Sequence, residues 1–161
     1  MFNLKAEFYL KVIFLFSFIA LISAFFIEYI LGHQPCNLCL IERIPYGLSI
    51  MIIISVFLIK KNQKFFVLLL ILTFAFSFVI SFYHFGIEQG LFQESSVCGV
   101  KSLTEIITKE DLLKQLSEKT ISCRDVTFRI FGLSLTSINI VISLLIIITL
   151  LKIFNKYEKY K

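Results

Sequence analysis

The sequence predicts an all-α integral membrane protein: a four-transmembrane-helix bundle with a short amphipathic helix in its second outer loop. Three observations carry this prediction. The 161-residue chain is 58% hydrophobic, above the roughly 45–50% of soluble domains. Its apolar residues gather into four runs, about 12–31, 40–59, 65–85 and 133–151, each near the ~20 residues a helix needs to cross a hydrocarbon core. Lysines crowd just outside these runs, the usual mark of membrane orientation.

The runs read as helices because they lack the period-two alternation of a barrel strand. The first is too long for a signal-peptide core, and no small-residue cleavage site follows it, so it reads as a span. The second opens at residue 40 or 44 and contains Pro45, which disturbs a helix running through it. A five-residue link, 60–64, joins it to the third. The whole of 1–161 reads as a single membrane domain.

Orientation follows from the flanks. The N-terminal tail (Lys5, Lys11), the 60–64 link (Lys60, Lys61, Lys64) and the C-terminal tail (Lys152, Lys156, Lys159, Lys161) hold nine of the sixteen basic residues. Only Glu7 and Glu158 oppose them there. The positive-inside rule puts both termini in the cytoplasm, and segments 32–43 and 86–131 outside. A net charge of +5 distributed this way argues against nucleic acid as a partner. In the long outer segment, Ser102 with Glu105, and Thr108 with Asp111, resemble helix starts. Leu103, Ile106, Ile107, Leu112, Leu113 and Leu116 recur at helical spacing, predicting an amphipathic helix on the outer membrane surface.

All four cysteines fall in the outer segments, which points to an oxidising compartment. Cys36-Asn37-Leu38-Cys39 is a C-x-x-C beside the second span. A helix start there would favour a thiolate through its unpaired N–H groups and dipole. Arg43 lies one turn beyond Cys39 on the same face and would favour that anion further. Cys98 and Cys123 flank the amphipathic segment. Four cysteines allow three connectivities. The local pairing, Cys36–Cys39 with Cys98–Cys123, is the expected resting arrangement; the crossed forms stay geometrically open, because both loops emerge at one surface. Two purely bracing disulfides would explain Cys98–Cys123 well, but a C-x-x-C ring constrains little chain. A zinc site is disfavoured because Cys98 and Cys123 are too far apart for a knuckle, so no metal is expected. Glu28, Arg43 and His84 collect at the same membrane level. Glu28 reads as a snorkelling interface residue, Arg43 as functional through its register with Cys39, and His33 as a loop residue.

The run Cys36-Asn37-Leu38-Cys39-Leu40-Ile41-Glu42-Arg43 resembles the C-x-L-C-x-x-[EQ]-R signature of the DsbB family of bacterial inner-membrane disulfide oxidoreductases. Tyr83-His84-Phe85-Gly86-Ile87-Glu88 resembles its Y-H-x-G-[VI]-E run. Cys98-Gly99, Cys123-Arg124-Asp125 and Phe131-Gly132-Leu133-Ser134 resemble its second loop and the entry to span four. The likeness covers about residues 6–151 and is specific in combination. It implies a periplasmic location for the cysteine loops and an electron relay. Cys98 is attacked by a reduced periplasmic DsbA-like thioredoxin-fold oxidase. Cys123 then engages Cys36, and Cys39 is freed as a thiolate facing a membrane quinone, ubiquinone or menaquinone. Arg43 matches the family arginine that supports quinone binding, and His84 the histidine near the ring. The chain departs from the pattern in having no Trp, with Thr136-Ser137-Ile138 where members often carry Pro or Ala and then Trp. Two other classes compete. A tetraspan scaffold would use its disulfides only to brace loops. A vitamin K epoxide reductase-like protein would carry its C-x-x-C near the end of the last bundle helix, not before span two.

Overall fold

The computed structural model describes residues 4–59, 62–94, 98, 122–124, 129–130 and 132–159. Among these are four long helices: α1 Leu4–Tyr29, α2 Asn37–Leu58, α3 Gln63–Glu88 and α4 Leu135–Lys159. Each is long and apolar enough to cross a membrane. The amphipathic segment predicted over 102–116 lies outside the described residues.

Each helix boundary has a local cause. α1 begins earlier than the apolar run suggests, and Lys11 bonds Glu7 one turn before it at 2.9 Å. α2 begins at Asn37 rather than at 40 or 44, because Cys36 acts as its N-cap. Cys36 is extended, and its sulfur accepts the Cys39 amide at 3.3 Å. Cys39, which the sequence reading left before the span, is therefore helical, as are Glu42 and Arg43, which a start at 40 or at 44 would place differently. Pro45 sits inside α2; it withholds one amide from the ladder without ending the helix. α4 begins at Leu135, later than expected. Leu133–Ser134 first pairs antiparallel with Arg129–Ile130 as strands β2 and β1, joined through Gly132 at φ +82°. Ser134 Oγ then accepts the Ser137 amide at 3.2 Å, a side-chain cap.

α3 packs against both α2 and α4, and α1 packs on α2. The core at the lysine-flanked end is apolar: Leu10, Ile13, Ile53, Val56, Val67, Leu70, Phe74 and Leu150 are buried together. Higher in the bundle, serines meet across helices. Ser49 donates to Ser17 at 2.9 Å and Ser143 to Ser77 at 3.2 Å. Such small polar contacts let spanning helices approach closely where lipid supplies no hydrophobic drive. The outward faces stay apolar: Phe65, Leu72 and Val79, seven residues apart on α3, are 57%, 57% and 62% exposed. Only a lipid surround makes that exposure tolerable.

Candidate functional site: a cysteine cluster over a buried polar network

The head of α2, the end of α3, the end of α1 and the start of α4 all lie at one end of the bundle, opposite Lys11, Lys64 and Lys152. Helix direction alone forces this in an up-down arrangement. All four cysteines meet there. Cys98 and Cys123 form a disulfide with Cα atoms 5.5 Å apart, and each is at most 2% exposed. The bond packs into a buried cluster with Cys36, Leu38 and Ile87, flanked by Cys39, Ile41 and Tyr83. The expected Cys98–Cys123 pairing is thus present. The expected Cys36–Cys39 bond is absent, and both are free thiols.

Cys36 takes up the helix-start electrostatics that the sequence reading placed on the pair. Its thiol is pulled below the usual range to about 5. The Cys39 thiol hydrogen-bonded to it is the largest cause; burial opposes, and His84 and the Cys39 amide reinforce the shift. His84 Nε2 lies 3.6 Å from Cys36 Sγ. The ligand atoms of Cys36, Cys39 and His84 all fall within 4.8 Å of one another. Closure of a Cys36–Cys39 disulfide would remove two of those three donors, so the trio is not assigned to a metal ion.

Arg43 behaves differently from its expected role beside Cys39. Its guanidinium donates to Glu28 on α1 and lies 5.4 Å from the Phe25 ring centroid. Glu28 is therefore an ion-pair partner, a correction to the snorkelling reading, and the pair ties α1 to α2. Helix register puts Arg43 one turn from Cys39, yet its charge is directed toward Glu28.

Beneath the cysteines runs a network that sequence reasoning missed. His84 Nδ1 meets Glu42 Oε1 at 2.9 Å. Asn139 Nδ2 donates to Glu42 Oε2 at 3.3 Å and to Ser81 Oγ at 2.7 Å. Asn139 Oδ1 accepts from Tyr46. Thr136 donates to Glu88 Oε1 at 2.7 Å, and Glu88 Oε2 is buried with no hydrogen-bond partner among the described residues. The signal for this network was available: Glu42 and Asn139 are polar residues about one turn inside otherwise apolar helices, and Thr136 stands in the first turn of α4.

A lipid-embedded four-helix bundle that holds a thiol pair at a helix head against a second, disulfide-linked pair defines a membrane thiol–disulfide protein. The profile of the family described as disulfide bond formation protein DsbB matches residues 6–153. This chain belongs to that family, and it is a multi-pass membrane protein of disulfide-forming oxidoreductase type. An uncharacterized protein of Rickettsia prowazekii (strain Madrid E) is 32% identical over 147 residues, covering 89% of this chain and 86% of the relative. No solved structure matches the chain.

Proposed function

We propose that this protein reoxidises a DsbA-like thioredoxin-fold partner at the outer face of a bacterial inner membrane and passes the electrons to membrane quinone. The observation that carries the reading is a buried cluster at one end of the bundle that joins Cys36 to the Cys98–Cys123 disulfide, with partly buried Cys39 packed against it. Thiol–disulfide exchange needs an attacking sulfur to reach a bonded one, and a scaffold whose disulfides only brace loops has no need of two pairs in contact. The lysine distribution supports cytoplasmic termini and a periplasmic cysteine end.

In this reading Cys98–Cys123 is the pair the partner attacks, first at Cys98. The reduced loop pair then engages the helix pair through Cys123 and Cys36. The Cys36 sulfur is a competent member of that exchange, since its environment favours the anion. Cys39 is partly buried, and the next residue, Leu40, has an exposed side chain. A quinone, when bound, accepts two electrons and two protons. The residues present fit such a group: Arg43 supplies a cationic donor, Phe25 an aromatic face beside it, and half-exposed Phe25 and Phe26 an apolar approach from lipid. His84 stands at the same level, closer to sulfur than to lipid.

The test uses purified protein, a short-chain quinone and a reduced thioredoxin-fold partner without oxygen. Quinone absorbance should fall with wild type. Cys39→Ser and Cys98→Ser should each abolish turnover; full turnover in either rejects the proposed function.

A further inference from the structure

Cys36, His84 and Glu42 come from two helices and align through a single ring. Cys36 Sγ faces Nε2 at 3.6 Å and Glu42 Oε1 faces Nδ1 at 2.9 Å. The orientation of the ring is fixed by its surroundings. Tyr46 O–H donates to Asn139 Oδ1, and Asn139 Nδ2 donates to Ser81 Oγ, so the amide points its NH₂ at Glu42 Oε2. Glu42 then receives a donor on each oxygen, and Nδ1 must carry its hydrogen toward Glu42. The Nε2 lone pair is left facing the sulfur.

We propose that Cys36, His84 and Glu42 form a proton-transfer triad, in which His84 Nε2 exchanges a proton with the Cys36 sulfur as the loop and helix pairs trade a disulfide, and Glu42 is the residue that positions the ring. The inference rests on the reading that the two pairs do trade a disulfide. In the closing step the Cys98 thiolate attacks Cys123 of the Cys36–Cys123 mixed disulfide. The Cys98–Cys123 bond forms, the Cys36–Cys123 bond breaks, and the electron pair of the broken bond leaves on Cys36. A protonated His84 holds the departing sulfur as an anion through an Nε2–H hydrogen bond, and where that sulfur is a thiol the Nε2 lone pair takes its proton. No outside oxidant enters this exchange. The arrangement of bonded loop pair and free Cys36 described above corresponds to its product.

The groups facing the ring limit what else could serve. From α2 they are Glu42 and the Cys36–Cys39 pair. From α3 it is Glu88, with Oε1 3.9 Å from Nε2. From α4 they are the neutral Thr136, 3.4 Å from Nδ1, and Asn139 behind Glu42. The charges of α1 and the head of α2 are joined to each other as Glu28–Arg43. Glu88 is farther from Nε2 than the sulfur is and is already bonded to Thr136, so Cys36 is the partner of that nitrogen.

The test follows Cys36 alkylation in the reduced full-length protein by peptide mass spectrometry between about pH 4 and pH 9. His84→Asn and Glu42→Leu should each move the midpoint of the rate profile up by about one pH unit or more, a roughly tenfold loss of thiolate below the new midpoint. Glu42→Gln still accepts from Nδ1–H, so its midpoint should fall between wild type and Glu42→Leu, which a merely structural role would not produce. Thermal melting in micelles is read for each variant, and Glu42→Gln carries the test if His84→Asn does not fold. A wild-type midpoint in both Glu42→Leu and Glu42→Gln overturns the proposal. Neither partner nor quinone is needed, so that result would leave the turnover of the cysteine variants to decide the proposed function separately.

Discussion

Arg43 stands near the head of α2, and its guanidinium pairs with Glu28 of α1 over the Phe25 ring. A planar cation so fixed can present its remaining donors to an acceptor approaching from lipid. Arg43→Ala should raise the apparent KM for quinone about tenfold or more while kcat changes by no more than about threefold, as expected for loss of a charge-assisted hydrogen bond used mainly in binding. Steady-state kinetics over a quinone series checks this, and an unchanged KM removes Arg43 from the site. Glu28→Gln should produce a smaller rise, because the amide still accepts from the guanidinium. At this scale the sequence revealed the reactive types, and it misplaced some partners. Motif and level singled out the four cysteines, Arg43 and His84, and the structure brings them to one end of the bundle. The Glu28–Arg43 pair was not, because no spacing rule links residues fifteen apart on separate helices. Likewise the His84–Glu42 contact depends on the rotation of α3 against α2, which side-chain packing sets.

The helix that matters most is α2, whose first residue follows directly on a cysteine cap. The cap explains why the C-x-x-C could be read as loop: an apolar run marks where lipid begins, whereas a helix starts where its first free amides find an acceptor. Ser134 plays the same part for α4, so Ser134→Ala should destabilise the protein by about 1 kcal/mol, measured by denaturant unfolding in micelles. The end of α3 is shaped differently. The Gly86 carbonyl accepts the amides of Leu91 at 2.8 Å and Phe92 at 3.2 Å, turning the chain back on itself. The Phe92 ring then stacks on Tyr83 at 5.7 Å and occupies the space a Cβ on Gly86 would need. Gly86→Ala should therefore cost about 1–3 kcal/mol by overpacking. In the Phe92→Ala background the same change should cost far less, a coupling that a double-mutant cycle measures. Equal costs in both backgrounds would show that the ring is not the obstacle.

Across the whole molecule, the apolar packing and the chemistry occupy opposite ends. Phe74, Leu70, Val67 and Leu150 hold the lysine-flanked half together, while polar contacts and sulfur fill the other. Four spans and this polarity were legible because lipid imposes length and charge rules that need no knowledge of packing. A cysteine introduced at exposed Asn155 of a cysteine-free chain should react with an impermeant maleimide in intact spheroplasts only after permeabilisation; reaction before it would invert the topology. The central claim is that the two cysteine pairs exchange electrons within one chain. Its most direct measurement uses a Cys39→Ser, Cys98→Ser double variant, in which Cys36 and Cys123 are the remaining thiols. Mild oxidation followed by peptide mapping should yield an intramolecular Cys36–Cys123 disulfide in most molecules. Recovery of both thiols free, in a protein that still melts cooperatively, would contradict the account.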